Sequence, residues 1–205
     1  MKIIGITGGI GGGKSTILNF ISSHYIAEIY YADEIARELE LPGTNIYDRL
    51  VSIFGKSILE KPSKIDSTID KKKFAHIIYD DPEKLEMVND IIHPAVEDYI
   101  VNKIRAAVKQ HETELFMIEA ALLIEKGYKD MVDEMWYIYA SDETRIERLM
   151  ESRGYTRAKA KKIMESQLTD MEFRDKSDIV IDNSGDIEKA YAQIRSRLEG
   201  FTWVE

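Results

Sequence analysis

Apolar positions along the chain fall into two rhythms. Short, nearly continuous runs at Lys2 to Ile6, Ile26 to Tyr31, Leu115 to Ile118, Met135 to Tyr139 and Ile179 to Ile181 predict strands. Between them the apolar residues recur every three or four positions. Ile17, Phe20 and Ile21 predict a helix from Lys14 to about Ser23, and Asp33 opens a helical segment to about Glu40 that Pro42-Gly43 breaks. A further amphipathic helix is expected over Asn45 to Phe54. Lys56 to Asp81 reads as polar and turn-rich, with Asp80-Asp81-Pro82-Glu83 as a helix start. Val96, Ile100, Ile104 and Val108 form an apolar ladder on the helix after Pro94. Asp142 to Gly154 and Thr156 to Thr169 predict two charged helices, and Glu188 to Leu198 a C-terminal one. Strands that alternate with helices predict an α/β fold with a mostly parallel sheet covered on both faces. No internal repeat or long linker interrupts it.

Composition narrows the classes. With 205 residues, 44% hydrophobic and 32% charged, the chain suits one α/β domain with insertions. A formal net charge of −9 argues against a nucleic-acid partner, although local basic patches can still hold a phosphorylated small molecule. The absence of cysteine excludes disulfides and thiolate metal sites. The longest apolar stretch, Leu115 to Ile124, contains Glu119 and is about half of what a membrane span needs. The N-terminus resembles neither a signal nor a transit peptide, so a cytoplasmic protein without a membrane partner is expected.

Chemistry concentrates after the first predicted strand. Gly8-x-x-x-x-Gly13-Lys14-Ser15 has the P-loop pattern, placed between a strand and a helix as that motif requires. Glycines let consecutive N–H groups turn inward on phosphate oxygens, and the following helix adds its positive end. Lys14 can reach the β- and γ-phosphates, and the Ser15 hydroxyl can ligate Mg²⁺. Gly9, Gly11, Gly12, Gly13, Lys14, Ser15 and Thr16 are therefore the expected nucleotide-binding residues, with ATP and Mg²⁺ as ligands.

Kinases, GTPases and motor ATPases share this loop. A guanine-reading Asn-Lys-x-Asp is missing, since Asn102-Lys103 is followed by Ile104-Arg105. Glu119 either helps hold Mg²⁺ through water or simply ends a strand. Asp33 either faces the γ-phosphate as a base for an acceptor hydroxyl or is the N-cap of the next helix. Arg145 and Arg148, three apart, share a helix face; with Arg153 and Arg157 they belong either to a lid or to a solvated surface interleaved with Glu143, Glu147 and Glu151. His93-Pro94 could cap and start a helix. A kinase of a small alcohol or nucleotide and a nucleotide-driven switch are the two classes this leaves.

Across nearly its whole length the chain resembles the dephospho-CoA kinase family. The resemblance rests on Gly5 to Thr16, Ala32-Asp33-Glu34-Ile35-Ala36-Arg37, Pro42-Gly43, Phe54-Gly55, His93-Pro94, Leu122-Leu123-Ile124-Glu125, the Arg145–Arg148 helix, Gln167, and Asp178 through Asn183 to Gly185. It implies a P-loop NTPase three-layer fold with a core at about 1–55, 106–141 and 177–205, a helical acceptor-binding region at about 56–105 and a lid at about 142–176. It implies transfer of the ATP γ-phosphoryl group to the ribose 3′-hydroxyl of dephospho-coenzyme A by a monomer or weak homo-oligomer. In that scheme Lys14, Asp33 and Arg148 are catalytic, Asn183 lies near the adenine of ATP, and Thr7, Asp33 and His93 contact the acceptor. The chain departs from the family pattern at Gly12, Tyr31, Ala121, Phe173 and Ser177.

Overall fold

The computed structural model describes residues 1–79, 81–120 and 128–200. Asp80, the Leu122 to Glu125 match and the Ala121 departure lie outside the described residues. The chain divides into two compact units, one of residues 1–30 and 107–205, the other of residues 31–106.

The first unit is built on a five-stranded sheet. Its strands are β1 (Lys2–Thr7), β2 (Ala27–Tyr31), β3 (Leu115–Glu119), β4 (Glu134–Tyr139) and β5 (Ile179–Asp182), in the order β2-β3-β1-β4-β5. β1 pairs parallel with β3 and with β4, and β4 pairs parallel with β5. Ile4, Ile6, Leu115 to Ile118 and Met135 to Ile138 are buried, as expected for central strands with no wet face. The mostly parallel sheet predicted from the apolar rhythm is thus present.

Registry sets where the strands end. Ile6 lies opposite Glu119, Thr7 opposite Tyr137, and Tyr139 opposite Asp182. The carboxyl ends of four neighbouring strands therefore lie on the same side of the sheet, Glu119 and Thr7 within one residue of each other and Tyr139 and Asp182 two residues beyond Thr7. α1 (Lys14–His24) begins after β1, and its Phe20 stacks on Tyr191 of α9 (Ile187–Glu199) with ring centroids 4.0 Å apart. α6 (Asp142–Arg153) follows β4 with Ser141 as N-cap and Gly154, at φ 62°, as its left-handed C-cap.

The helix expected over Thr156 to Thr169 is shorter and is followed by another. α7 (Arg157–Glu165) stops at Ser166, and α8 (Asp170–Asp175) begins anew under a capping box of Thr169 and Glu172. The two threonines that bound one helix in the sequence pattern are the N-caps of two.

The second unit has its own core of Ile46, Tyr47, Leu50, Ile58, Leu59, Ile69, Phe74, Val88 and Ile91. Its elements are α2 (Ala32–Leu39), α3 (Asn45–Phe54), α4 (Lys71–Tyr79) and the part of α5 (Pro82–Gln110) up to Ala106. α4 lies inside the stretch read as polar and turn-rich. The Asp70 carboxylate accepts from the N–H groups of Lys72 and Lys73, and Phe74 buries itself against Phe54, so a cap and one aromatic anchor outweigh three solvated lysines.

α5 starts at Pro82, as the Asp-Pro signal suggests, but it does not restart at Pro94. The helix runs through that proline. The carbonyl that Pro94 leaves without its helical N–H partner belongs to Asp90; Asp90 and Pro94 are both exposed, which lets water take the missing bond's place. Of the expected ladder, Val96 and Ile100 are buried but Val108 is half exposed; Ala107 is the buried residue there.

Candidate active site: a phosphate cradle at the strand ends

The turn after β1 is shaped by what surrounds it. A Cβ on Gly8 would lie 2.6 Å from the Ile138 carbonyl oxygen. One on Gly13, whose φ is +88°, would lie 2.2 Å from the Asn183 side-chain nitrogen. The glycines are therefore required by close neighbours from β4 and from the residue after β5. Gly12, where the family usually has serine, would bring a Cβ to 3.0 Å from the Gly9 and Ile138 carbonyl oxygens, a tight but not prohibitive fit.

The loop's own hydrogen bonds define which amides remain for a ligand. Gly12 N–H donates to the Gly9 carbonyl, Ile10 N–H to Gln167 Oε1 and Ile17 N–H to the Gly13 carbonyl. The N–H groups of Gly11, Gly13, Lys14, Ser15 and Thr16 have no acceptor among the described residues. Those of Lys14, Ser15 and Thr16 form the open amino-terminal end of α1, where an anion is favoured by both the free donors and the helix dipole.

Positive charge gathers around them. Lys14 Nζ donates to the Gly8 carbonyl at 2.8 Å and lies 3.4 Å from Glu119 Oε1, so the ammonium is held beside the loop. Registry explains the pair, because Glu119 ends β3 level with Ile6. Arg148 NH1 approaches the Gly11 and Gly12 carbonyls at 3.4 Å, while NH2 donates to the Asn183 carbonyl at 2.8 Å. Arg145, a buried residue, donates Nε–H to the Ile10 carbonyl at 2.9 Å and a second N–H to Gln167 Oε1 at 2.9 Å. These two arginines are not on a solvated face. Arg153 is exposed, and the exposed Arg157 forms a two-pronged pair with Glu143.

Asn183 is almost fully buried. Its amide donates to the Gly12 carbonyl at 2.8 Å, its own N–H donates to the Tyr139 carbonyl, and its Oδ1 has no partner among the described residues. Thr7, the last residue of β1, is fully buried, and its Oγ1 likewise has no hydrogen-bond partner there. Ser15 is exposed on the first turn of α1.

In this unit the structure brings together Thr7, the glycine loop, Lys14, Ser15, Thr16, Arg148 and Asn183 from the sequence-derived set. It adds Glu119, Arg145 and Gln167 as neighbours of the loop. Spacing marks Arg145 and Arg148 as sharing a face, but only the fold shows that this face carries the loop.

The remaining expected residues lie in the second unit. Asp33 is exposed in the first turn of α2, two residues after the end of β2. The N-cap of α2 is Tyr31, and no side chain caps that terminus, so capping does not account for the aspartate. His93 is half-buried within α5, next to Ile91 and Ile92 of that unit's core, and does not cap a helix.

The described residues include no helix long and apolar enough to cross a membrane. A family model described as "CoaE: Dephospho-CoA kinase" matches residues 2–189. A protein of Carboxydothermus hydrogenoformans named dephospho-CoA kinase is 36% identical over 205 residues, covering 100% of this chain and 97% of the relative. One of Geobacter sulfurreducens with the same name is 35% identical over 194 residues, covering 95% of each. A solved structure titled as the dephospho-CoA kinase of Campylobacter jejuni aligns with a TM-score of 0.69 at 22% identity, covering 97% of this chain and 98% of that one. That last likeness bears on the fold.

Proposed function

The chain belongs to the dephospho-CoA kinase family, and from that membership we propose that it transfers the γ-phosphoryl group of ATP to the ribose 3′-hydroxyl of dephospho-coenzyme A, giving coenzyme A and ADP. The observation that carries this reading is the family match over residues 2–189. The loop's chemistry agrees with it: open amides, a tethered ammonium and a guanidinium converge where a polyphosphate would be held.

In this reading Gly9, Gly11, Gly12, Gly13, Lys14, Ser15 and Thr16 bind the ATP phosphates. Lys14 neutralises charge between the β- and γ-phosphates. Asp33 orients the acceptor hydroxyl and takes its proton as the new O–P bond forms and the bond from the γ-phosphorus to the ADP oxygen breaks. Arg148 meets the oxygens of the transferring group. Thr7 and His93 serve the acceptor, and Asn183 serves ATP, bracing the loop on the side where the adenine is expected.

The donor set suits a hard divalent cation. Ser15 offers a hydroxyl on an exposed turn, and Glu119 offers a carboxylate level with the loop, within reach of water-mediated ligation. Mg²⁺ held there would supply electrostatic neutralisation of the phosphates.

Residues 142–176 act as the lid, residues 56–105 receive the acceptor, and the protein works in the cytoplasm as a monomer or weak homo-oligomer on these two small molecules. An acceptor screen at fixed ATP tests the assignment, with dephospho-coenzyme A set against nucleoside monophosphates and other small alcohols. Phosphorylation of dephospho-coenzyme A at the 3′ position, seen by phosphorus NMR, is the expected result. Preference for another alcohol would overturn the substrate while leaving the kinase.

A further inference from the structure

Ile10 lies within the glycine loop, and both of its backbone polar groups are taken by side chains far away in sequence. Its N–H donates to Gln167 Oε1 at 2.9 Å, and its carbonyl accepts from Arg145 Nε at 2.9 Å. The circuit is closed by Arg145, whose NH2 donates to the same Gln167 oxygen at 2.9 Å. One amide oxygen thus uses both lone pairs, one toward the loop and one toward the guanidinium.

The arginine has little else to do. Its ion pair with Asp142 is 3.7 Å long, and that carboxylate is 83% exposed, which makes it a weak tie. The loop also rests directly on Arg145. A Cβ on Gly9 would lie 2.2 Å from its NH2, and one on Gly11 would lie 2.9 Å from its carbonyl oxygen. Gln167 sits between α7 and α8, so the circuit ties the loop both to α6 and to that connection.

Resting on the reading of the loop as the ATP site, we propose that Arg145 and Gln167 are positioning residues for nucleotide binding. Together they fix the Ile10 peptide and hold the loop in its cradle shape before nucleotide arrives. Neither side chain need touch the transferring group. Their contribution is then equal for substrate and transition state, and for ATP and ADP, which places it in KM and Kd rather than in kcat.

The requirement at position 167 is an acceptor of the right length. Gln167→Glu keeps an oxygen that can accept from both Ile10 N–H and Arg145. Gln167→Met keeps the length and loses the acceptor. At position 145 the fork itself is needed, because a lysine cannot donate along two fixed directions to Ile10 and Gln167.

The test is calorimetric titration of Mg·ADP into the parent protein and the two Gln167 variants, with KM for ATP and for dephospho-coenzyme A measured in parallel. Gln167→Met is expected to weaken ADP binding and raise KM for ATP by about tenfold, the cost of unmaking a charge-assisted pair. Gln167→Glu is expected to stay near the parent, and KM for the acceptor to stay put in both. ADP binding by Gln167→Met equal to the parent's, or Gln167→Glu as weak as Gln167→Met, would overturn the inference. A parent that binds no ADP would instead bring down the nucleotide reading beneath it. If Gln167→Met does not fold, amide exchange on the nucleotide-free parent decides. The Ile10 amide should exchange about a hundredfold more slowly than in an unstructured peptide, and unprotected exchange would contradict the brace.

Discussion

The side-chain amide of Asn183 donates to the carbonyl of Gly12 at 2.8 Å, joining the end of β5 to a loop 171 positions earlier in the chain. Removing that amide leaves a buried carbonyl short of a donor. Asn183→Ala also removes Oδ1, which has no partner to lose among the described residues, so the net cost to stability is expected to be modest, about 1–2 kcal/mol by urea denaturation. Asn183→Asp should cost more, since it sets a carboxylate oxygen against the carbonyl. Both should raise KM for ATP, and an aspartate variant as stable as the parent would contradict this role for the bond.

Asp33→Asn should bind ATP normally and turn over about a hundredfold more slowly or worse, the usual reach of a lost general base. Single-turnover phosphorylation with pre-bound ATP measures it. No side chain caps the start of α2, so the aspartate has no capping duty whose loss would confuse the result. Near-parental turnover would remove Asp33 from the mechanism.

Phe173, one of the departures from the family pattern, anchors α8. It is buried and stacks on Tyr137 of β4 with ring centroids 4.8 Å apart. Phe173→Ala should destabilise the protein by about 3–5 kcal/mol, and proteolysis should then cut first between α7 and α8. Limited digestion with mass mapping checks the place of the loss, and urea denaturation its size.

Tyr137 supplies a pH dependence. Burial, then the charge of Asp170 and its hydrogen bond, hold the phenol well above the ordinary tyrosine value of 10.0. Above that value the unfolded chain releases this proton while the folded one keeps it. Stability is therefore full below it and falls as pH rises through and beyond it. Burial raises Tyr47 as well, so the slope is shared. Thermal midpoints at about pH 9 and about pH 11 should drop less in Tyr137→Phe than in the parent, provided each variant is referenced to its own value at the lower pH. An equal drop would show that Tyr137 does not contribute.

The features legible in the sequence are those made by neighbours in the chain. The P-loop is contiguous, and α3 begins and ends where the apolar spacing places it, at Asn45 and Phe54. α4 is hidden because its three leading lysines speak louder than Phe74, and the carboxylate that caps it looks like part of a turn. The break at Ser166 is hidden because Thr169 serves equally well as a helix ending and as a cap. Distant pairs leave no local trace at all. Nothing near Lys14 announces Glu119, and nothing near Ile10 announces Arg145 or Gln167; sheet registry and the placement of α6 create those contacts.

Acceptor-dependent phosphoryl transfer is tested most directly by ADP release from Mg·ATP by the purified protein, with and without dephospho-coenzyme A. Little ADP is expected without acceptor, stoichiometric ADP with it, and a product heavier by one phosphate. ADP released at the same rate in both cases, with the acceptor's mass unchanged, would contradict the kinase reading.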